Sequence, residues 1–208
     1  MGFAFSYQGG AESLPELFEQ TGPRTYEFLV YDRYAQLLTQ QELYSDAIEV
    51  YRQYIERYPL SLYAPQYQVS IIRTLAEAGF VSSILDEKAR FVDVYGKDAE
   101  FWRATNPIDL KYIEARLEEY LPELAAVHYN LGQRAAVPSV AEQEFELAAR
   151  YYAAYADTFP ESPRTPEMLF LRGESLGQIG RWQDGIPPWE MAGYDYPLFA
   201  RASEAAYA

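Results

Sequence analysis

The sequence predicts an all-α protein built as an array of antiparallel helix pairs, and three observations predict it. One spacing recurs three times: a small residue, a large aromatic four residues on, a second aromatic at eleven and proline at twelve. Ala47, Tyr51, Tyr58 and Pro59 carry it, as do Ala148, Tyr152, Phe159 and Pro160, and then Gly185, Trp189, Tyr196 and Pro197. A fixed internal period marks helical units that bury a continuous core only by stacking on one another. Apolar residues between these landmarks fall at three- and four-residue steps, the period of an amphipathic helix. Composition agrees: 49% of the 208 residues are hydrophobic and 20 are tyrosine, whose ring packs between helices while its hydroxyl seeks a polar partner.

The elements follow in order. Residues 1–22 hold Gly9-Gly10 and a short helical pattern, Leu14, Leu17 and Phe18, ending at Gly22. They are expected to be an N-terminal helix or the tail of a preceding unit. Residues 23–61 form a first full unit with Ala35, Tyr44, Ala47, Tyr51 and Pro59 at the key places. Residues 62–96 form a degenerate unit with helices near 65–78 and 81–95. There Gly79 fits the turn, Tyr95-Gly96 replaces the aromatic-proline pair, and Lys88 stands where the aromatic belongs.

Residues 97–123 interrupt the array. Asn106-Pro107 opens a helix whose stripe of Ile113, Leu117, Leu121, Leu124, Val127 and Leu131 continues past Pro122, which predicts one long kinked helix. Residues 124–165 form a unit with Leu131-Gly132, Phe145, Ala148, Tyr152 and Pro160, and with an enlarged turn expected around Ala136-Val137-Pro138-Ser139. Residues 166–199 are the cleanest unit. Pro166 suits a first helical turn, and Leu169, Phe170, Gly173, Leu176 and Gly177 form one face. Gly180-Arg181-Trp182 breaks that helix, and a second runs through Gly185, Ile186, Trp189 and Ala192 to Tyr196-Pro197. Gly173 and Gly185 are expected to let these two helices approach, with Trp182 and Trp189 beside them. Residues 200–208 open a further helix, with Ala200, Ser203, Ala206 and Tyr207 in register. The chain therefore reads as a segment of a longer array, with Met1 not its natural start.

The last unit closely resembles a tetratricopeptide repeat (TPR), a helix–turn–helix module of about 34 residues. Gly173, Gly180, Trp182, Gly185, Trp189, Ala192 and Pro197 occupy the family's small, glycine, aromatic and proline places in order. The first unit departs at Tyr54, where the family prefers alanine, and at Glu42, where it prefers glycine. The resemblance implies a right-handed superhelix whose first helices line a concave groove. Carried over residue by residue, the groove side chains are Asp32, Gln36 and Thr39; Gln66, Ser70 and Arg73; Tyr129 and Gln133; and Glu167, Phe170 and Glu174. Such a polar and aromatic surface suits an extended peptide or a helix. Chaperone-binding members clamp a terminal carboxylate with lysine and asparagine, where this chain has Asp32 and Gln36, so that partner is not expected.

Other chemistries find little support. Acidic residues outnumber basic ones by 31 to 17, giving a charge of −14 and a pI near 4.5. That surface repels nucleic-acid phosphates and anionic lipid. The lack of cysteine removes disulfides, thiolate metal sites and cysteine nucleophiles, and leaves the redox compartment open. No apolar run reaches the ~20 residues of a membrane span, and Met1 to Ser6 lack the basic and apolar regions of a signal peptide. His128, the one histidine, has no obvious ligand partners and reads as a packed or surface residue. Asp86-Glu87, Glu118-Glu119 and Glu142, Glu144 and Glu146 read as solvated helix faces. Asp93, Asp98 and Glu100 miss the spacing of a calcium loop, and Gly9-Gly10 and Gly177–Gly180 lack the lysine and strand of a phosphate loop. Catalytic, metal and cofactor residues are therefore not expected.

The expected function is a non-enzymatic scaffold that binds a protein or peptide. A structural spacer or self-association module, or the regulatory domain of a larger enzyme, are the alternatives. The segments Tyr58-Pro59-Leu60-Ser61 and Phe159-Pro160-Glu161-Ser162 resemble linkers of periplasmic repeat proteins, which implies the bacterial envelope, with the cytoplasm as the alternative.

Overall fold

The computed structural model describes residue 14, residues 18–20, residue 22, residues 24–196 and residues 198–207. Among them every regular element is helical, and within each of the chain's two compact units successive helices pack against their neighbours. Gly9-Gly10, Leu17 and Pro197 lie outside the described residues. No helix among the described residues is long and apolar enough to cross a membrane. The chain divides into two compact units, Met1–Leu110 and Lys111–Ala208.

In the first unit, α1 (Glu27–Gln40), α2 (Tyr44–Arg57), α3 (Ala64–Glu77) and α4 (Val81–Tyr95) each pack on the next, and the short α5 (Glu100–Ala104) packs on α4. A 3-10 turn, Pro107–Leu110, ends the unit. The core is a chain of tyrosine rings. Tyr31 meets Tyr54 edge-on at 5.3 Å, Tyr54 meets Tyr67 at 4.8 Å, and Tyr67 meets Tyr51 at 5.1 Å. Leu14 and Phe18, both buried, join this cluster beside Tyr31.

The second unit has α6 (Lys111–Arg134), α7 (Pro138–Thr158), α8 (Thr165–Gln178), α9 (Trp182–Glu190), a π-helical turn (Met191–Asp195) and α10 (Ala202–Tyr207). The long α6 carries Pro122 in its interior. The turn between α6 and α7 is only residues 135–137, with Pro138 in the first turn of α7, so the expected enlarged turn is absent. The additional residues instead extend the start of α7, because proline is tolerated there and the following residues propagate a helix. Leu131 is exposed and its neighbour Gly132 faces inward, where a Cβ would lie 3.0 Å from the Phe145 ring.

The sequence spacing has a direct backbone counterpart. Three helix pairs share one turn: Glu42, Gly79 and Gly180 all take positive φ, at 61°, 77° and 74°. The next N–H in each, from Leu43, Phe80 and Arg181, donates at 2.9 Å to the carbonyls of Leu38, Leu75 and Leu176. This left-handed cap satisfies the last carbonyls of the first helix. The linkers repeat as well. Tyr58, Phe159 and Tyr196, each before proline, sit at φ/ψ of −132°/62°, −125°/59° and −122°/72°. Proline bars the helical conformation from the residue before it, which stops each second helix at the aromatic.

Two serines complete the linkers. Tyr54 meets the Ser61 hydroxyl at 3.0 Å, and Tyr155 meets that of Ser162 at 2.9 Å. Tyr54, a departure from the family pattern, is thus half of a device used twice.

In α4 the inward face is Glu87, Phe91 and Tyr95. Glu87, expected on a solvated face, is buried. Its Oε1 accepts from Arg52 of α2 at 2.6 Å, and its Oε2 from Gln68 of α3. Glu87 thus makes a buried charged contact one residue before Lys88, which stands at the aromatic place.

At α8 and α9 the close approach rests on glycine. A Cβ on Gly173 would lie 2.3 Å from Nε1 of Trp189, whose indole N–H donates to the Phe170 carbonyl at 3.2 Å. Trp182 sits over Gly177 in the same way, with one face open to solvent. Gly173→Ala is expected to cost about 1–3 kcal/mol through overpacking, read by urea denaturation, and an unchanged midpoint would mean that the indole moves aside freely.

Glu42 carries the opposite prediction. A left-handed residue with a Cβ costs about 1–2 kcal/mol, less the roughly 0.5–1 kcal/mol of extra entropy that glycine loses on folding. Glu42→Gly is therefore expected to raise stability by roughly 0.5–1 kcal/mol in the same assay. A lower midpoint would show that the glutamate side chain itself supports the turn.

Candidate functional site

The anticipated binding residues fall into two groups, one in each unit. On α1, Asp32, Gln36 and Thr39 are spaced four and three residues apart and share a face. All three are partly exposed, and they bond to one another's surroundings: Gln36 donates to Asp32 at 2.9 Å, and Thr39 to the Ala35 carbonyl at 3.0 Å. On α3, Gln66 and Arg73 are exposed and Ser70 is half-buried, again at steps of four and three. Ser70 donates to the Gln66 carbonyl at 3.1 Å, and Arg73 lies 4.0 Å from Glu77.

The link between these helices is Tyr51 of α2. Its buried ring presents the hydroxyl to Asp32 at 3.4 Å, with the Ser70 hydroxyl and the Arg73 charge also acting on it. Burial first, and then the Asp32 carboxylate, push its ionisation up to about 12. Tyr67 fixes the spacing from below by donating to the Phe28 carbonyl of α1, and the Phe28 and Tyr63 rings stack at 3.8 Å. Asp32, Ser70 and Arg73 thus act on one neutral hydroxyl above packed aromatic rings, with Gln36 bonded to Asp32 beside it.

In the second unit, Tyr129 and Gln133 lie on α6, and Glu167, Phe170 and Glu174 on α8. Tyr129 is half-buried, with its ring edge-on to Phe145 at 5.3 Å. Burial and the Glu174 carboxylate raise its ionisation, while Gln133 hydrogen-bonds to it and Arg201 lowers it. Tyr152 of α7 occupies the place that Tyr51 has in the first unit, and its ionisation rises to about 12, mainly through burial.

Phe170 requires a correction. It is 1% exposed, with the Arg201 guanidinium 3.7 Å above its ring and Phe199 beside it, so it offers no surface to a partner. Arg201 also reaches Glu204 at 2.8 Å and Glu167 at 3.9 Å, so the segment leading into α10 covers this part of α8.

His128 is half-buried on α6. It pairs with Glu144 of α7 at 2.7 Å and stacks on Tyr151 at 5.6 Å, so Glu144 is a packing partner and not only a solvated residue. Among the described residues no group of three histidine, aspartate or glutamate side chains could hold a metal. The chemistry available at the two groups is hydrogen bonding, charge pairing and aromatic packing. What sequence reasoning missed is the tyrosine beneath each group, because the spacing marked Tyr51 and Tyr152 only as core. No family model matches the chain, and no curated protein matches it.

The buried hydroxyls predict an alkaline transition. Burial pushes Tyr31, Tyr51, Tyr120 and Tyr152 up to about 12, whereas an unfolded tyrosine ionises near 10. A raised folded pKa gives stability that is fully present below pH ~10 and lost as pH climbs toward ~12, because the unfolded chain releases its protons first. Melting temperature is therefore expected to be flat from neutral pH to about 10 and to fall above it. The phenolate absorbance should lag behind that of the denatured chain. Tyrosines that all titrate near 10 while the helical signal persists would contradict this account.

Proposed function

We propose that the chain is a non-enzymatic interaction scaffold of the tetratricopeptide type, binding an extended peptide or a helix of a protein partner along the outward side chains of its first helices. The observation that carries this reading is the convergence at Tyr51. Residues of α1 and α3 that are far apart in sequence surround one buried hydroxyl, where they form a preorganised set of donors and acceptors. Held side chains lose little entropy when a ligand docks, which favours affinity. The shared left-handed turn and pre-proline linker support the family assignment, since each copy resets the chain for another antiparallel pair. The right-handed superhelix belongs to this proposal.

Asp32 directs the choice of partner. Its carboxylate faces the surface beside Gln36, so it favours a lysine or a backbone N–H of the ligand and disfavours a terminal carboxylate. A bacterial envelope setting rests on the aromatic-Pro-x-Ser linkers, whose serines bond to tyrosines and to the N–H groups of Tyr63 and Arg164.

A displayed peptide library selected against the chain, followed by amide chemical-shift mapping of the strongest binder, tests the reading. Shifts are expected around Asp32, Gln36, Ser70 and Arg73. The triple variant Gln36→Ala, Ser70→Ala, Arg73→Ala should weaken binding about tenfold or more, from two or three lost polar contacts. A library that yields no binder, or binders indifferent to the triple variant, would sink it.

A further inference from the structure

We propose that the second unit carries another binding site, a cleft between α7, α8 and α9 that takes an acidic peptide segment. The cleft has a volume of about 570 Å³ and is open along one side. That lies within the usual range for ligand pockets, roughly 300–1,000 Å³. It is lined by three arginines, Arg150, Arg172 and Arg181, against two carboxylates, Glu146 and Asp184. In a chain of net charge −14, a concavity with more guanidinium than carboxylate groups runs against the overall balance.

The three arginines are not equivalent. Arg181 is committed, to Asp184 at 2.6 Å and Glu146 at 3.2 Å. Arg150 lies over the Tyr151 ring at 5.1 Å and reaches its hydroxyl at 3.4 Å, with no carboxylate partner among the described residues. Arg172, half-buried on α8, has no hydrogen bond or ion pair to any described residue. Two guanidiniums thus line one cleft without a carboxylate partner among the described residues.

Beside them lies an apolar shelf of Leu176, Pro187, Pro188 and Met191. Prolines 187 and 188 cannot donate from the backbone, so that wall offers contact area and no competing N–H. The guanidinium fork matches a carboxylate in two parallel hydrogen bonds. Charge and shelf together fit a segment in which acidic and apolar side chains alternate. Arg172 stands two residues from both Phe170 and Glu174, about 200° around the helix, so this cleft lies on the other side of α8 from the proposed groove residues.

The probe is a rhodamine-labelled ten-residue peptide of alternating glutamate and leucine, followed by fluorescence anisotropy with the full chain. Saturable binding is expected. A glutamine–leucine peptide of the same length should bind at least tenfold more weakly. Arg172→Gln and Arg150→Gln should each weaken the acidic peptide about tenfold, the scale of one lost charged hydrogen-bond pair, and Arg172→Lys should lie between. Melting curves accompany each variant, and Arg150→Gln, at an exposed position, carries the test if Arg172→Gln proves unstable. Absence of saturable binding would overturn the proposal, as would equal affinity for the two peptides or an undiminished affinity in the double variant. Displacement by citrate, with the peptide binding no better than citrate itself, would make the site one for small polycarboxylates and would overturn it too.

Discussion

A buried tyrosine contributes its ring to the core only if its hydroxyl finds a partner there, and most of this architecture is arranged around that constraint. An unpaired buried hydroxyl costs on the order of 1–3 kcal/mol, a large share of what ring burial gains. The chain resolves the conflict at the joints between elements. Tyr54 and Tyr155 reach the linker serines, Tyr58 donates to Glu27, and Tyr67 and Tyr196 donate to the carbonyls of Phe28 and Pro160. These bonds tie helices and linkers to one another, so satisfying the hydroxyl also sets the stacking register. Tyr31 and Tyr95 are the exceptions, with buried hydroxyls that find no partner among the described residues. Their burial is the chief cause of their raised ionisation.

The helix pairs were legible in the sequence because they depend on local rules. Gly79 and Gly180 announce a left-handed turn, and an aromatic before proline announces a helix end. Glu42 hid the same turn, since the fold imposes the conformation on a residue that does not favour it. The repetition of Tyr54 and Ser61 in Tyr155 and Ser162 was a readable signal, a tyrosine seven residues before a serine, but periodicity alone gives no reason to weigh it. Less legible was anything that depends on a third element. Glu87 reads as solvated until Arg52 and Gln68 arrive from α2 and α3, and Phe170 reads as outward until Arg201 covers it. The stripe in α6 went wrong by one residue at Leu131, where the Phe145 ring takes the room that only Gly132 leaves.

Glu87 shows what replaces an aromatic–small contact when the sequence does not supply one. A buried ion pair with its carboxylate fully hydrogen-bonded is not a strong source of stability, because desolvation offsets much of the attraction. It does discriminate among registers. Sliding α4 by one residue would bring Lys88 toward Arg52 and leave Glu87 without its partners, whereas an apolar face would tolerate small slips. The degenerate pair thus gains in orientation what it forgoes in apolar burial.

Charge distribution separates the two proposed faces. The groove residues of the first unit set one carboxylate, Asp32, and one guanidinium, Arg73, among amides and hydroxyls, and a cationic ligand gains from the chain's overall negative field as it approaches. At the arginine cleft that field opposes an acidic ligand only once it comes within a Debye length, about 8 Å at physiological ionic strength, because charges farther away are screened. Recognition there must come from short-range forks and apolar contact, which act on dissociation more than on encounter. Within the second unit, α8 itself keeps the two kinds of charge apart, with Glu167 and Glu174 on one side and Arg172 on the other.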